Sequence, residues 1–273
     1  MTPPPEAQPD ISCETTIDAT SSDPVLTQDA FLGGRLVVQQ PAKGYRAGID
    51  AVLLAASVPA CCGDTVLEAG AGVGVPSLCV AERVAGITVT AVEVQADLCV
   101  AGAANAAHNG HSSRVEFIEA DILAAASAHA AAGLARESFG HVIANPPFHI
   151  AGRARASGNP GKAKAHMHEA GDLERWVRFM VTMAEADASI TVIHRADALP
   201  DLLALFERRI GNIAVLPIHS KPGGEAIRVL IQGRKGSRAP LRVRPGIIMH
   251  EPDGNFTPIA QGVLREGEAL NLG

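Results

Sequence analysis

Asn145, Pro146, Pro147 and Phe148 follow the short apolar run HVIA, where a buried strand ends. Two consecutive prolines fix the backbone and remove two N–H donors. They also hold the residue before them extended. What remains is a rigid platform with free carbonyls, one carboxamide (Asn145) and one aromatic ring (Phe148). Such a platform suits the grip of a flat, amine-bearing group.

A second set of residues lies upstream. The strand-like segment TVLEA runs into Glu68, Gly70, Gly72 and Gly74, and a helical pattern starts directly after. Glycines there allow a tight turn and close backbone approach to a ligand, with free N–H groups at the helix start. The spacing is GxGxG, not the GxGxxG of dinucleotide enzymes. Glu68 would repel a pyrophosphate and suits a cationic ligand such as the ammonium of a methionine moiety. This favours S-adenosylmethionine over NAD. Glu93 ends the next strand, where a carboxylate can take both ribose hydroxyls. Asp121 follows the third strand, within reach of an adenine amino group, and either acid could instead serve as a helix N-cap. All three acids sit at the carboxyl ends of successive strands and face one crevice.

The elements that must position these groups alternate. Strands are expected at 65–69, 87–93, 114–120, 141–145 and 189–194. Helices are expected at 75–84, 95–108, an Ala-rich stretch to about residue 134, 173–186 and 198–210. A helix is also expected over 48–58, ended by Pro59, and a short hairpin or strand over 31–40. The strands at 212–219 and 226–233 follow each other without a helix. The fold class is therefore α/β, a doubly wound Rossmann-like sheet, mostly parallel, with an antiparallel C-terminal edge hairpin.

The chain has 273 residues, 47% apolar and 19% charged, with a net charge of -6. The charge is uneven: Glu6, Asp10, Glu14, Asp18, Asp23 and Asp29 all precede the first basic residue, Arg35. Without those six, acids and bases balance, so a global argument against nucleic acid fails. Residues 1–28 are expected to be a disordered acidic tail, and 29–273 one folded domain. The cysteines Cys13, Cys61, Cys62, Cys79 and Cys99 form no CxxC pair and read as reduced thiols. His166, His168 and Glu169 lack a further spaced ligand, so no metal is expected. Neither a membrane-spanning run nor a signal peptide is visible, which points to a cytoplasmic protein.

Directly after the platform comes GRARASGNPGKAKAH, with Arg153, Arg155, Lys162 and Lys164 and no acid. A second basic set holds Lys221, Arg228, Arg234, Lys235, Arg238, Arg242 and Arg244. Both are expected beside the active-site end, where they would meet a phosphate backbone.

Taken in order, ExGxGxG at 68–74, Glu93, Asp121 and NPPF at 145–148 resemble the class I S-adenosylmethionine-dependent methyltransferases with an (N/D)PP(Y/F) motif. Segments such as GYRAGIDAVLLAA, VIHRADALP and MHEPDGNFTPIAQGVLREG are similar to the bacterial tRNA1(Val) adenine-N6 methyltransferase family. The resemblance implies methylation of an RNA base amine, with tRNA as partner. It places Tyr45 and Arg46 over the cofactor's methionine end or the target pocket. Asn145 and the Pro146 carbonyl would accept the amine hydrogens, and Phe148 would stack on the base. His149, next to the motif, is also typical of guanine-N2 rRNA methyltransferases. Protein-glutamine N5 methyltransferases share NPP with an aromatic, and a cofactor-binding RNA interaction protein is the non-enzymatic alternative. The family's PGG-type turn before the fifth strand reads ADAS here.

Overall fold

The computed structural model describes residues 26–44, 46–147, 172–207 and 209–273. Strands β1 (Leu26–Phe31) and β2 (Leu36–Pro41) form an antiparallel hairpin, and α1 (Ile49–Ala56) follows. The alternation then runs β3 (Thr65–Ala69), α2 (Val75–Arg83), β4 (Thr88–Glu93), α3 (Ala96–His108), β5 (Val115–Glu119), α4 (Ala126–Ala131) and β6 (Phe139–Ala144). Next come α5 (Asp172–Met183), β7 (Ala184–Arg195), α6 (Leu199–Phe206), β8 (Ile210–His219) and β9 (Ala226–Lys235). The chain ends with β10 (Arg242–Val243), β11 (Ile247–Ile248) and α7 (Pro258–Gln261).

Among the described residues nine strands make one sheet, in the order β10-β8-β9-β7-β6-β3-β4-β5, with β11 also on β8. Strands β5, β4, β3, β6 and β7 are parallel, whereas β9 is antiparallel to both β7 and β8. The expected C-terminal hairpin is thus β8–β9, with β9 on the inside and the two-residue strands β10 and β11 extending the sheet past β8. The central strands carry nearly unbroken apolar runs because helices cover both faces. On one face α1 and α2 bury Leu53, Leu54, Leu78 and Val80. On the other, α5 buries Trp176, Val177, Met180 and Met183 at helical spacing, against Leu67, Val142 and Ile190.

Among the boundaries that differ from expectation, two bear on the sheet. Strand β1 starts at Leu26, inside the stretch read as tail, because pairing with β2 at Pro41, Gln40 and Gln39 satisfies its backbone. The remainder of that tail lies outside the described residues. Strand β7 starts at Ala184, directly after α5, and bulges before Ser189 joins His141. Asp187 takes the left-handed conformation there (φ 61°), so an aspartate makes the bend within the ADAS turn.

Candidate active site

Strands β3 and β6 are neighbours, with Ala69 opposite Ala144. The glycine loop leaves one strand and Asn145-Pro146-Pro147 leaves the other at the same level, one strand spacing apart, about 4.8 Å. Asn145 and Pro147 are partly exposed and Pro146 is buried.

The loop after β3 has three left-handed glycines, Gly70 (φ 67°), Gly72 (φ 57°) and Gly74 (φ 82°). A Cβ at Gly70 would overlap the Trp176 ring, and one at Gly74 would overlap the Phe117 ring. At Gly72 nothing lies within 4 Å of that position, so the loop is packed at both ends and open at its middle. Backbone bonds hold it: Ala71 N donates to Val92 O (2.9 Å) and Gly74 N to Ala71 O (2.9 Å).

Glu93, only 6% exposed, accepts from Gly72 N at Oε2 (2.8 Å) and from Gln95 N at Oε1 (3.0 Å). The carboxylate at the end of β4 is thereby fixed against the open glycine. Glu68 behaves differently from expectation. It is 2% exposed, and its Oε2 accepts from Ser77 N (2.9 Å) and Ser77 Oγ (2.5 Å). Burial pushes its pKa up to about 8, and the Glu93 charge adds to this, against the Ser77 bonds. Burial thus favours its neutral form, and its bonds to Ser77 tie the end of β3 to the first turn of α2. Asp121 is exposed, and its Oδ1 accepts from Leu123 N (2.8 Å). It shapes the turn after β5 and is not the cap of α4, whose N-cap is Ala125.

Arg46 is held by both Asp29 oxygens at 2.6 Å, and the Gln40 carboxamide pairs with Ala47 N (2.9 Å) and Ala47 O (3.2 Å). The segment before α1 is thus clamped to the hairpin. Phe148, Tyr45, Arg153, Arg155, Lys162 and Lys164, together with His149, His166, His168 and Glu169, lie outside the described residues.

Placing the whole second basic set at the active-site end is corrected. Lys221 is exposed on the β8–β9 turn at the carboxyl end of the parallel strands, and Arg228 there binds Asp50 (2.8 Å). Arg234 pairs in register with Ser189, and Lys235 with Ile210, at the opposite end of the sheet. Because β9 runs antiparallel, basic residues along it are carried from one end of the sheet to the other. Arg234 and Lys235 are paired with Asp187 and Glu137.

Sequence reasoning missed four supporting residues. Ser77 holds Glu68, Phe117 and Trp176 pack on the loop glycines, and Asn105 reaches Val73 O (3.4 Å). An apolar residue at helical spacing, such as Trp176, carries no mark of which backbone it will meet. Among the described residues no group of three or more His, Cys, Asp or Glu could hold a metal ion. Among them, too, no helix is long and apolar enough to cross a membrane.

A family model, the methyltransferase small domain, matches residues 46–175. A crystal structure of a predicted O-methyltransferase from Agrobacterium tumefaciens superposes with a TM-score of 0.68 at 30% identity, covering 81% of this chain and 97% of that one. The tRNA1(Val) (adenine(37)-N6)-methyltransferase of Dickeya chrysanthemi is 24% identical over 89% of this chain and 95% of its own length. The release factor glutamine methyltransferase of Chlorobaculum tepidum is 37% identical, but over only 31% of this chain and 27% of its own length. The chain belongs to the class I S-adenosylmethionine-dependent methyltransferases. Its methyl donor is S-adenosylmethionine, and the glycine loop with the anchored Glu93 fits that group.

Proposed function

We propose that this protein methylates an exocyclic amine of an RNA base, N6 of an adenine in tRNA, in the cytoplasm. The observation that carries the reading is the exit of Asn145-Pro146 and of the glycine loop from adjacent strands at one level. The tRNA1(Val) adenine-N6 relatives, similar over most of both chains, support the choice of substrate.

S-adenosylmethionine held at the loop supplies an electrophilic methyl group on a sulfonium. Gly70, Gly72, Gly74 and Glu93 are the residues that would hold it, with Asp121 at the adenine end. An aromatic amine is a poor nucleophile because its lone pair is delocalised into the ring. Asn145 Oδ1 and the Pro146 carbonyl accept its two hydrogens, which draws the nitrogen toward tetrahedral geometry. That stabilisation grows as the nitrogen becomes cationic, so it acts mainly on the transition state. No strong base is needed, since the methylated cation loses its proton readily to water. Phe148 stacks on the flipped base, for about 1–3 kcal/mol. Tyr45, Arg46, Arg153, Arg155, Lys162, Lys164 and Lys221 are proposed RNA contacts, with Arg46 first having to leave or share Asp29.

Labelled methyl donor and total tRNA, followed by digestion to nucleosides, test the reading. Label in N6-methyladenosine is the expected result, and Asn145→Ala should lower the rate by about 10²–10³-fold. Label in methylguanosine overturns the adenine assignment. Label in protein instead of RNA favours glutamine N5, the activity named for the relative that matches over 84 residues.

A further inference from the structure

The hairpin β1–β2 is joined to α3 by two asparagines one helical turn apart, Asn105 within the helix and Asn109 at its C-cap. Asn109 Oδ1 accepts from Val37 N (2.9 Å) and its Nδ2 donates to Val37 O (2.9 Å). Asn105 Oδ1 accepts from Gln39 N (2.8 Å) and its Nδ2 donates to Gln39 O (3.0 Å). The two carboxamides thus stand in for a neighbouring strand, with i, i+4 helical spacing matched to i, i+2 strand spacing. They close the outer edge of β2, which would otherwise expose unpaired backbone.

The two are alike toward the hairpin and unlike elsewhere. The second Nδ2 proton of Asn109 goes back to its own helix, at Asn105 O (2.8 Å). That of Asn105 goes to Val73 O (3.4 Å), between the open Gly72 and the helix-capping Gly74. Asn105 is 2% exposed, so water cannot replace this partner. From β2 the connection continues through Gln40 and Asp29 to Ala47 and Arg46, ahead of α1.

We propose that Asn105 is a positioning residue that couples the cofactor loop to the N-terminal hairpin and, through it, to the segment carrying Arg46. Occupation of the loop then steadies the hairpin through Asn105, and loss of that one link weakens cofactor binding, because the coupling between the two is reciprocal. The inference concerns the cofactor site and does not depend on which amine is methylated.

Asn109→Ala is the built-in control, because it removes two hairpin bonds and none to the loop. Binding of S-adenosylhomocysteine, measured by titration calorimetry on the full chain, should weaken about tenfold in Asn105→Ala and less than about twofold in Asn109→Ala. Thermal unfolding of both variants reports the shared structural loss. Equal effects of the two variants on binding, or none from Asn105→Ala, overturn the proposal. Hydrogen exchange of residues 36–41 in the unaltered protein provides a second arm should Asn105→Ala not fold. S-adenosylhomocysteine should slow exchange there, and unchanged exchange overturns the coupling.

Discussion

The backbone N–H of Gly72 donates to Glu93 Oε2 at 2.8 Å, so the carboxylate that ends β4 holds the loop that ends β3. The acid and the glycine are therefore one unit, and a ligand that reaches the carboxylate meets the loop already in place. Glu93→Ala should leave Gly72 N and Gln95 N without their acceptor, at a cost of about 1–3 kcal/mol. Thermal unfolding measures that cost, and titration with S-adenosylhomocysteine should show binding weakened beyond it. Unchanged affinity would mean that Glu93 is a structural brace alone.

Glu68 makes stability depend on pH. Its folded pKa is about 8 against an ordinary 4.5, raised first by burial. Between those values the folded state binds more protons than the unfolded one. The stabilisation is complete below the unfolded pKa and is lost as pH rises through the folded pKa, with a slope of about 1.4 kcal/mol per unit at most. Glu68→Gln keeps an acceptor for Ser77 and has no proton to lose. Denaturant unfolding at pH 5 and pH 8 should show a smaller fall for the variant than for the parent.

Phe117 separates two kinds of glycine requirement. A methyl at Gly74 or at Gly102 would overlap the same ring, but only Gly74 is left-handed. Shrinking the ring with Phe117→Ala should recover about 1–3 kcal/mol of the loss in Gly102→Ala, a coupling read from a double-mutant cycle. Gly74→Ala should keep a residual penalty of about 1–2 kcal/mol in the same background, from its backbone alone.

Lys221 and Arg234 test which end of the sheet meets RNA. Lys221→Glu should weaken tRNA binding and flatten its salt dependence, because the proposed phosphate contact is lost. Arg234→Glu, at the far end and paired with Asp187, should do neither. Equal effects would indicate a nonspecific charge response.

Much of this architecture is legible from local pattern. The runs that became β3, β4 and β6 are mostly apolar and bounded by turns, and the glycine loop and prolines mark where two of them end. Three features needed the third dimension. The direction of β9 decides where each basic residue falls, and a strand's direction leaves no trace in its own composition. Asn105 and Asn109 look like ordinary surface amides until β2 arrives against them from 66 and 72 residues away. Glu68 reads as a charge in the sequence, yet α2 folding over it removes the water that would keep it ionised.

Trp176, the one tryptophan in the chain, rests on Gly70. The protein therefore carries its own optical probe at the glycine loop. With no second indole to dilute the signal, a change of emission on adding ligand reports on that loop, and a stopped-flow trace would time its response without any label.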